Sequence, residues 1–76
     1  MTALRQLVNM NIGEKIKHLR KEKSITQVQL AQALKLDKGT IAKYEVGERF
    51  PSIHILKQIA LYFEVSSDYL LGITDI

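Results

Sequence analysis

Cysteine is absent from the 76 residues of this sequence, so neither a disulfide nor a thiolate metal site can stiffen the fold. The two histidines, His18 and His54, lie far apart without cysteine partners, which argues against a structural zinc site. No apolar run approaches the length of a membrane span, and the N-terminal segment lacks the pattern of a signal peptide. We therefore expect a cytoplasmic protein with no metal site and no cofactor.

The residue patterns of common active sites are also missing. The sequence has no cysteine nucleophile, no Ser–His–Asp order, no glycine-rich phosphate loop and no cluster of metal ligands. His18 is expected on the surface of the first predicted helix, and His54 in the first turn of the fourth. An enzyme is therefore not expected.

The charged residues are distributed unevenly along a chain long enough for one domain. Hydrophobic residues make up 46% of the sequence, which suits a small globular fold. Residues 1–57 hold all eleven Lys and Arg and five acids, a net charge of +6, whereas residues 58–76 hold three acids and no base. This distribution of charge indicates a surface that faces a polyanion. A lysine-rich surface that faces only solvent would give the same distribution.

Helical periodicity and capping signals predict five helices and no strands. The first helix is predicted from about Ile12 to Lys23, with buried positions repeating at helical spacing. The second and third are short and are joined by a tight turn at Lys35 and Leu36, and Gly47 ends the third in a left-handed cap. The expected N-terminal capping residues are Asn11, Thr26, Asp37, Ser52 and Ser66.

Residues 1–10 are interpreted as an N-terminal extension of the domain formed by residues 11–76. Leu4, Leu7 and Val8 could line one side of a short helix. The same segment could equally be a flexible tail.

The third predicted helix has an apolar side and a basic side. At about 100° per residue, Ile41 and Tyr44 mark the inward side, and Gly39 and Lys43 point the opposite way. Glycine costs about 1 kcal/mol relative to alanine in a helix, which indicates either close approach to a base pair or a tolerated glycine in the first turn. Lys43 can reach guanine O6 or N7, or a phosphate, or it is an ordinary surface lysine.

Other side chains around this helix are candidates for nucleic-acid contact. Thr40 and Lys38 flank the outward side, where they could contact a base, and Lys38 could also reach the backbone. Gln27 begins the second helix, where its side chain and the nearby backbone N–H groups could bind a phosphate. Arg49, in the loop after the third helix, is a second phosphate candidate. Each of these residues could instead be an ordinary solvated surface residue.

Two charged side chains fall on inward sides of their helices. Glu45 lies on the buried side of the third helix, and Arg20 lies on the buried side of the first. An unpaired buried charge is costly. The sequence therefore predicts an ion pair between Arg20 and Glu45 that joins the two helices.

The sequence resembles the phage-repressor and Cro type of helix-turn-helix proteins, the XRE family. The matching segments are IGEKIKHLRKEK, TQVQLAQAL, GTIAKYEVGERFPS and LKQIALYFEVSSDYLLG, which together run from Ile12 to Gly72. The resemblance implies an all-α, five-helix lambda-repressor-like DNA-binding domain with its helix-turn-helix at about residues 26–47. It also implies that the third helix enters the major groove while the second crosses the backbone.

Residue by residue, the resemblance assigns base reading to one set of positions: Lys38, Gly39, Thr40 and Lys43. It assigns a phosphate contact to Gln27 and the Arg–Glu bridge of the family to Arg20 and Glu45. Two positions depart from the family pattern. Lys35 stands where glycine is frequent, which implies strain if its backbone is left-handed. Gly39 has no side chain with which to read a base.

The leading hypothesis is a sequence-specific transcriptional regulator that binds double-stranded DNA as a homodimer on a palindromic operator. The resemblance favours repression over activation. No residue pattern in the sequence distinguishes the two. Dimerisation would use the N-terminal extension or the C-terminal residues Tyr69, Leu70, Leu71 and Ile73, and the alternative is a monomer on DNA. The alternative is an antitoxin-like protein-interaction module whose main role is to bind a partner protein.

Overall fold

The computed structural model describes residues 11–73, and this part of the chain forms five α-helices and no strand. They are α1 (Ile12–Glu22), α2 (Gln27–Leu34), α3 (Lys38–Val46), α4 (Ile53–Phe63) and α5 (Ser67–Leu71). The predicted all-α, five-helix class is confirmed. The predicted N-terminal extension, residues 1–10, lies outside the described residues.

Every helix begins at a side-chain cap that the sequence predicted. Each cap accepts a hydrogen bond from the backbone N–H three residues later, and the capping residues are Asn11, Thr26, Asp37, Ser52 and Ser66. Asn11 with Glu14, and Thr26 with Gln29, form complete capping boxes. Because each cap satisfies backbone groups that a helix start leaves unpaired, local sequence fixes where these helices begin.

The helix ends are marked by left-handed backbone, and not only at glycine. Gly47 and Gly72 have φ values of 82° and 80°. Ser24, Lys35 and Glu64 are also left-handed, with φ values of 56°, 59° and 57°. For a residue with a Cβ atom this conformation costs roughly 1–2 kcal/mol. The predicted strain at Lys35 is therefore present in the turn between α2 and α3.

We expect Lys35→Gly to raise the free energy of unfolding by about 0.5–1 kcal/mol, because glycine removes the left-handed strain and loses only part of that gain to its greater unfolded entropy. The Lys35 side chain is exposed and makes no hydrogen bond to any of residues 11–73, so its removal should cost little. Urea denaturation measures the change. Lys35→Ala is the control, since it removes the side chain and keeps the Cβ atom. Equal stabilisation by both variants would contradict the backbone explanation.

The core is built by apolar side chains from all five helices. Its buried members are Ile16, Leu19, Leu30, Ala31, Leu34, Ile41, Tyr44, Leu56, Ile59, Ala60, Phe63 and Leu70. Gly13, in the first turn of α1, lies directly against the last turns of α3. A Cβ atom at Gly13 would overlap the carbonyl oxygen of Tyr44 and lie 2.9 Å from that of Glu45. Helix α1 therefore approaches α3 with no room for a side chain.

A buried lysine holds α5 against α1. Lys15 is 1% exposed, and its Nζ donates a hydrogen bond of 2.7 Å to the carbonyl oxygen of Tyr69. The same Nζ lies 5.0 Å from the centre of the Tyr69 ring, within the range of a cation–π interaction. Carbonyl groups at a helix end carry partial negative charge, so they compensate the ammonium group without a carboxylate.

The packing of α5 shows that the predicted C-terminal dimer surface was partly wrong. Leu70 is 1% exposed and belongs to the core, and Tyr69 packs against the core, so Leu70 is not available to a second copy. Of the four residues named for that surface, Leu71 and Ile73 are exposed. The reason is that α5 packs against α1 and α4 with Leu70 in the core.

Candidate nucleic-acid interface

Helices α2 and α3 form a compact unit whose turn is fixed by backbone hydrogen bonds. The N–H of Leu36 donates to the carbonyl oxygen of Ala31 at 2.8 Å, and the N–H of Lys35 donates to that of Gln32 at 3.2 Å. Ala31 is buried, and its small side chain lets the two helices cross closely. The sequence predicted this turn.

The two sides of α3 differ as the helical period predicted. Ile41 and Tyr44 are buried in the core. Lys38, Gly39 and Lys43 are exposed, and Thr40 is half-buried. The side chains of Lys38 and Lys43 make no hydrogen bond or ion pair with any of residues 11–73. Helix α3 therefore presents two uncommitted ammonium groups on either side of a glycine.

Gly39 is not required by the packing of α3. A Cβ atom at this position would approach only one group, the Oδ1 atom of Asp37, at 3.3 Å. That atom is the side-chain acceptor of the Thr40 N–H, so it would have to shift by a few tenths of an ångström, but no backbone atom of another helix lies within 4 Å. The contrast with Gly13 is direct, because there the neighbouring atoms belong to the backbone of another helix.

The start of α3 carries a charged cap next to the candidate reading residues. The Thr40 N–H donates to Asp37 Oδ1 at 2.7 Å. This hydrogen bond lowers the pKa of the Asp37 carboxyl group, and the positive charges of Lys43 and Arg49 lower it further. The Asp37 carboxylate therefore stays ionised at a lower pH than an ordinary aspartate would. It caps α3 and forms no ion pair with a basic side chain of residues 11–73.

The buried side of α3 contains the ion pair between Arg20 and Glu45. Arg20 Nε donates to Glu45 Oε2 at 2.7 Å, and Arg20 Nη2 donates to Oε1 at 3.1 Å. Arg20 Nη1 also donates to the carbonyl oxygen of Ile25 at 2.9 Å. The bidentate hydrogen bonding with Glu45 raises the pKa of the Arg20 guanidinium. The pair fixes α3 to α1 and to the loop that precedes α2.

Gln27 extends this network to the first residue of α2. Its Nε2 donates to Glu45 Oε1 at 3.1 Å, and the side chain is half-buried. The hydrogen bond between Gln27 and Glu45 was not predicted. A shallow concave surface opens beside it, lined by Arg20, Ser24, Ile25, Thr26, Gln27, Val28 and Lys38. The candidate phosphate residue on α2 and the first lysine of α3 therefore border one depression.

Arg49 lies in the exposed loop that follows α3. Its N–H donates to the carbonyl oxygen of Lys43 at 3.3 Å, which closes the end of the helix. Its guanidinium makes no hydrogen bond or ion pair with any residue in the described range 11–73. The second predicted phosphate residue is thus free to reach a partner.

The other polar candidates form no site within the described part of the chain. His18 Nε2 lies 3.4 Å from Glu22 Oε2 on the surface of α1, and His54 shares a hydrogen bond of 3.1 Å with Gln58 on α4. No group of three or more His, Asp or Glu side chains within residues 11–73 is placed to hold a metal ion. None of the described helices is both long and apolar enough to cross a membrane.

Comparison with known families identifies one matching domain and several curated relatives. A family model described as a helix-turn-helix domain matches residues 13–75. The HTH-type transcriptional activator BcrR of Enterococcus faecalis is 40% identical over 63 residues, which cover 83% of this chain and 31% of the relative. The immunity repressor protein of Bacillus phage phi105 is 39% identical over 63 residues, with 83% and 44% covered. The chain therefore spans less than half the length of either relative.

Solved structures share the same arrangement of helices. The P22 c2 repressor in complex with a synthetic operator has a TM-score of 0.79 and 28% identity, covering 83% of this chain and 96% of the repressor. The restriction-modification controller protein C.AhdI from Aeromonas hydrophila has a TM-score of 0.73 and 25% identity, with 88% and 98% covered. The predicted lambda-repressor-like fold is confirmed by these matches.

Proposed function

The chain belongs to the helix-turn-helix domain family of the phage-repressor type, and from this premise we propose that it is a sequence-specific transcriptional regulator that binds double-stranded DNA. One observation carries the proposal. An exposed side of α3 presents Lys38 and Lys43 around Gly39, while the opposite side is fixed by the core and by the Arg20–Glu45 ion pair. A rigid helix with an uncommitted basic face suits the major groove.

Within the groove, each predicted base-reading residue has a distinct task. Lys43, near the middle of the exposed side, donates to guanine O6 and N7. Lys38 reaches a base or the adjoining backbone from the leading end of α3. Gly39 brings the helix backbone close to a base pair, and Thr40 contacts a base or a thymine methyl group from the edge of the face.

The DNA backbone is held from both ends of the α2–α3 unit. Gln27 donates to a phosphate at the start of α2, where the partial positive charge of the helix end adds to the attraction. Arg49 contacts a second phosphate beyond the end of α3. These contacts orient the protein on the duplex and carry no sequence information themselves.

The regulator is proposed to act in the cytoplasm as a repressor, bound as a homodimer to a palindromic operator. Its relatives include the phi105 immunity repressor and the repressor RstR of a cryptic phage in Vibrio cholerae, 36% identical over 63 residues. The exposed side chains of Leu71 and Ile73 supply apolar surface for a second copy. An antitoxin-like role is not favoured, because BcrR and RstR are both named as transcriptional regulators.

Selection of bound duplexes from random-sequence DNA tests the proposal directly. We expect enrichment of a two-fold symmetric sequence whose half-sites lie about one helical turn, roughly 10 base pairs, apart. Affinity for the selected duplex should fall steeply with salt, because lysine and arginine contacts release counterions. Recovery of unenriched sequences, bound no more tightly than random DNA, would refute sequence-specific binding.

We expect Lys43→Ala to weaken binding to the selected operator by about 1–3 kcal/mol and to relax the preference at one base pair of each half-site. The reason is the loss of a donor that reads a base edge. Repeating the selection with the variant measures both effects. Lys57→Ala on α4 removes the same charge away from the α2–α3 unit and should leave the sequence preference unchanged. Equal preferences for Lys43→Ala and the parent would contradict the assignment.

A further inference from the structure

We infer that Glu45 is a positioning residue for DNA backbone recognition: it holds the side-chain amide of Gln27 so that one N–H is presented to a phosphate. The inference rests on the proposed function, in which Gln27 contacts a phosphate, and it adds the group that prepares this contact. Glu45 itself touches no DNA in this arrangement, because it lies on the buried side of α3 and is 8% exposed.

The hydrogen bonds at Glu45 select one orientation of the Gln27 amide. Glu45 Oε1 accepts from Gln27 Nε2 and from Arg20 Nη2, both at 3.1 Å. An ionised carboxylate can only accept, whereas the two ends of an amide differ, with two donor hydrogens on nitrogen and acceptors on oxygen. Turning the amide over would set its oxygen against the carboxylate. The nitrogen of Gln27 is therefore kept at Glu45.

One hydrogen of the Gln27 nitrogen remains after the bond to Glu45 is made. No other group within residues 11–73 accepts it, and the backbone N–H groups of Gln27 and Val28 also have no acceptor in that range. A phosphate oxygen can only accept hydrogen bonds, and every group presented to it at the start of α2 is a donor. Without Glu45 the amide would be free to turn its oxygen toward the phosphate, which would repel it.

Arg20 offsets the repulsion between the Glu45 carboxylate and a nearby phosphate, both of which are negatively charged. Its two hydrogen bonds to Glu45, of 2.7 and 3.1 Å, neutralise the negative charge, and its third, to Ile25, fixes the loop that leads into α2. Because Glu45 belongs to α3 and Gln27 to α2, the same group sets the register between the reading helix and its backbone anchor.

A double-mutant cycle on the operator duplex recovered by selection tests this inference. Gln27→Ala should weaken binding about five- to ten-fold, the net contribution of one typical hydrogen bond. In the Glu45→Gln background the same change should weaken binding by less than about two-fold, because the amide is already unpositioned. Fluorescence anisotropy at fixed salt gives each affinity. Circular dichroism establishes that each variant is folded, and Glu45→Asp, too short to reach Gln27, replaces any Glu45→Gln protein that is unfolded.

Two further measurements and one control separate positioning from a general structural effect. Arg20→Lys weakens the ion pair but retains Glu45, so Gln27→Ala should still cost several-fold in that background. In nuclear magnetic resonance spectra, the Gln27 side-chain amide should show one shifted, slowly exchanging proton that is lost in Glu45→Gln. Gln32→Ala, an exposed glutamine on the same helix, should leave affinity unchanged in every background.

The outcomes distinguish this inference from the function on which it rests. An equal cost of Gln27→Ala with and without Glu45 would overturn the positioning role and leave the phosphate contact standing. No cost of Gln27→Ala in the parent would overturn the inference while sequence-specific binding stands. Failure of the parent to select any sequence would refute the proposed function itself.

Discussion

Replacing Gly13 with alanine is expected to lower the free energy of unfolding by about 3 kcal/mol or more. The new Cβ atom would overlap the carbonyl oxygen of Tyr44 and would lie 2.9 Å from that of Glu45. Both oxygens belong to the backbone of α3, which cannot move away as a flexible side chain would. Relief requires α1 to shift away from α3, and this shift would strain the ion pair between Arg20 and Glu45.

The sign of this effect makes it diagnostic. In an ordinary helix position, alanine is favoured over glycine by about 1 kcal/mol. Gly39→Ala is the matched control, since Gly39 also lies in the first turn of a helix and its Cβ would meet only Asp37 Oδ1 at 3.3 Å. It should change stability by less than about 1 kcal/mol. Urea denaturation of both variants measures the contrast, and a Gly13→Ala protein as stable as the parent would contradict the close approach of α1 to α3.

Replacing Arg20 with methionine is expected to lower the free energy of unfolding by about 3–5 kcal/mol. The variant leaves the carboxylate of Glu45 buried with Gln27 as its remaining side-chain donor, and a neutral amide compensates a negative charge poorly. The carbonyl oxygen of Ile25 also loses its hydrogen bond from Arg20 Nη1. The loop before α2 and the orientation of α3 are therefore weakened by the same substitution.

Arg49→Met provides the control for Arg20→Met. Arg49 is exposed and makes no ion pair with residues 11–73, so its replacement should change stability by no more than about 0.5 kcal/mol. A double variant with methionine at both Arg20 and Glu45 should recover much of the lost stability, because replacing both partners leaves no unpaired charge. Unfolding of Arg20→Met at the parent's urea concentration would show that the pair contributes nothing.

The features that sequence predicted well are those encoded within a few residues. Capping residues such as Thr26 and Asp37 act on N–H groups three positions away, so the starts of the helices can be read locally. The Arg20–Glu45 pair is encoded over a longer distance. It was nevertheless predictable, because an unpaired buried charge is costly and the two residues carry opposite charges on the buried sides of their helices.

The features that sequence missed depend on where helices meet. Lys15 follows Ile12 by three residues and precedes Leu19 by four, a spacing that places it beside the buried side of α1, but its acceptor on Tyr69 lies 54 residues away. Nothing in the residues around Gly13 indicates that its contact is with the backbone of α3. The hydrogen bond from Gln27 to Glu45 likewise requires the start of α2 to lie over the end of α3, and no periodicity encodes that placement.

The left-handed residues at the helix ends have a consequence for the lifetime of the protein in a cell. Ser24, Lys35 and Glu64 each follow a helix and are exposed, so none has a packing reason to differ from glycine. Proteases act on the open form of a small domain, and each kilocalorie of strain enlarges that population about five-fold. Glycine at these three positions is therefore expected to slow proteolysis of the domain, without altering the surface of α3.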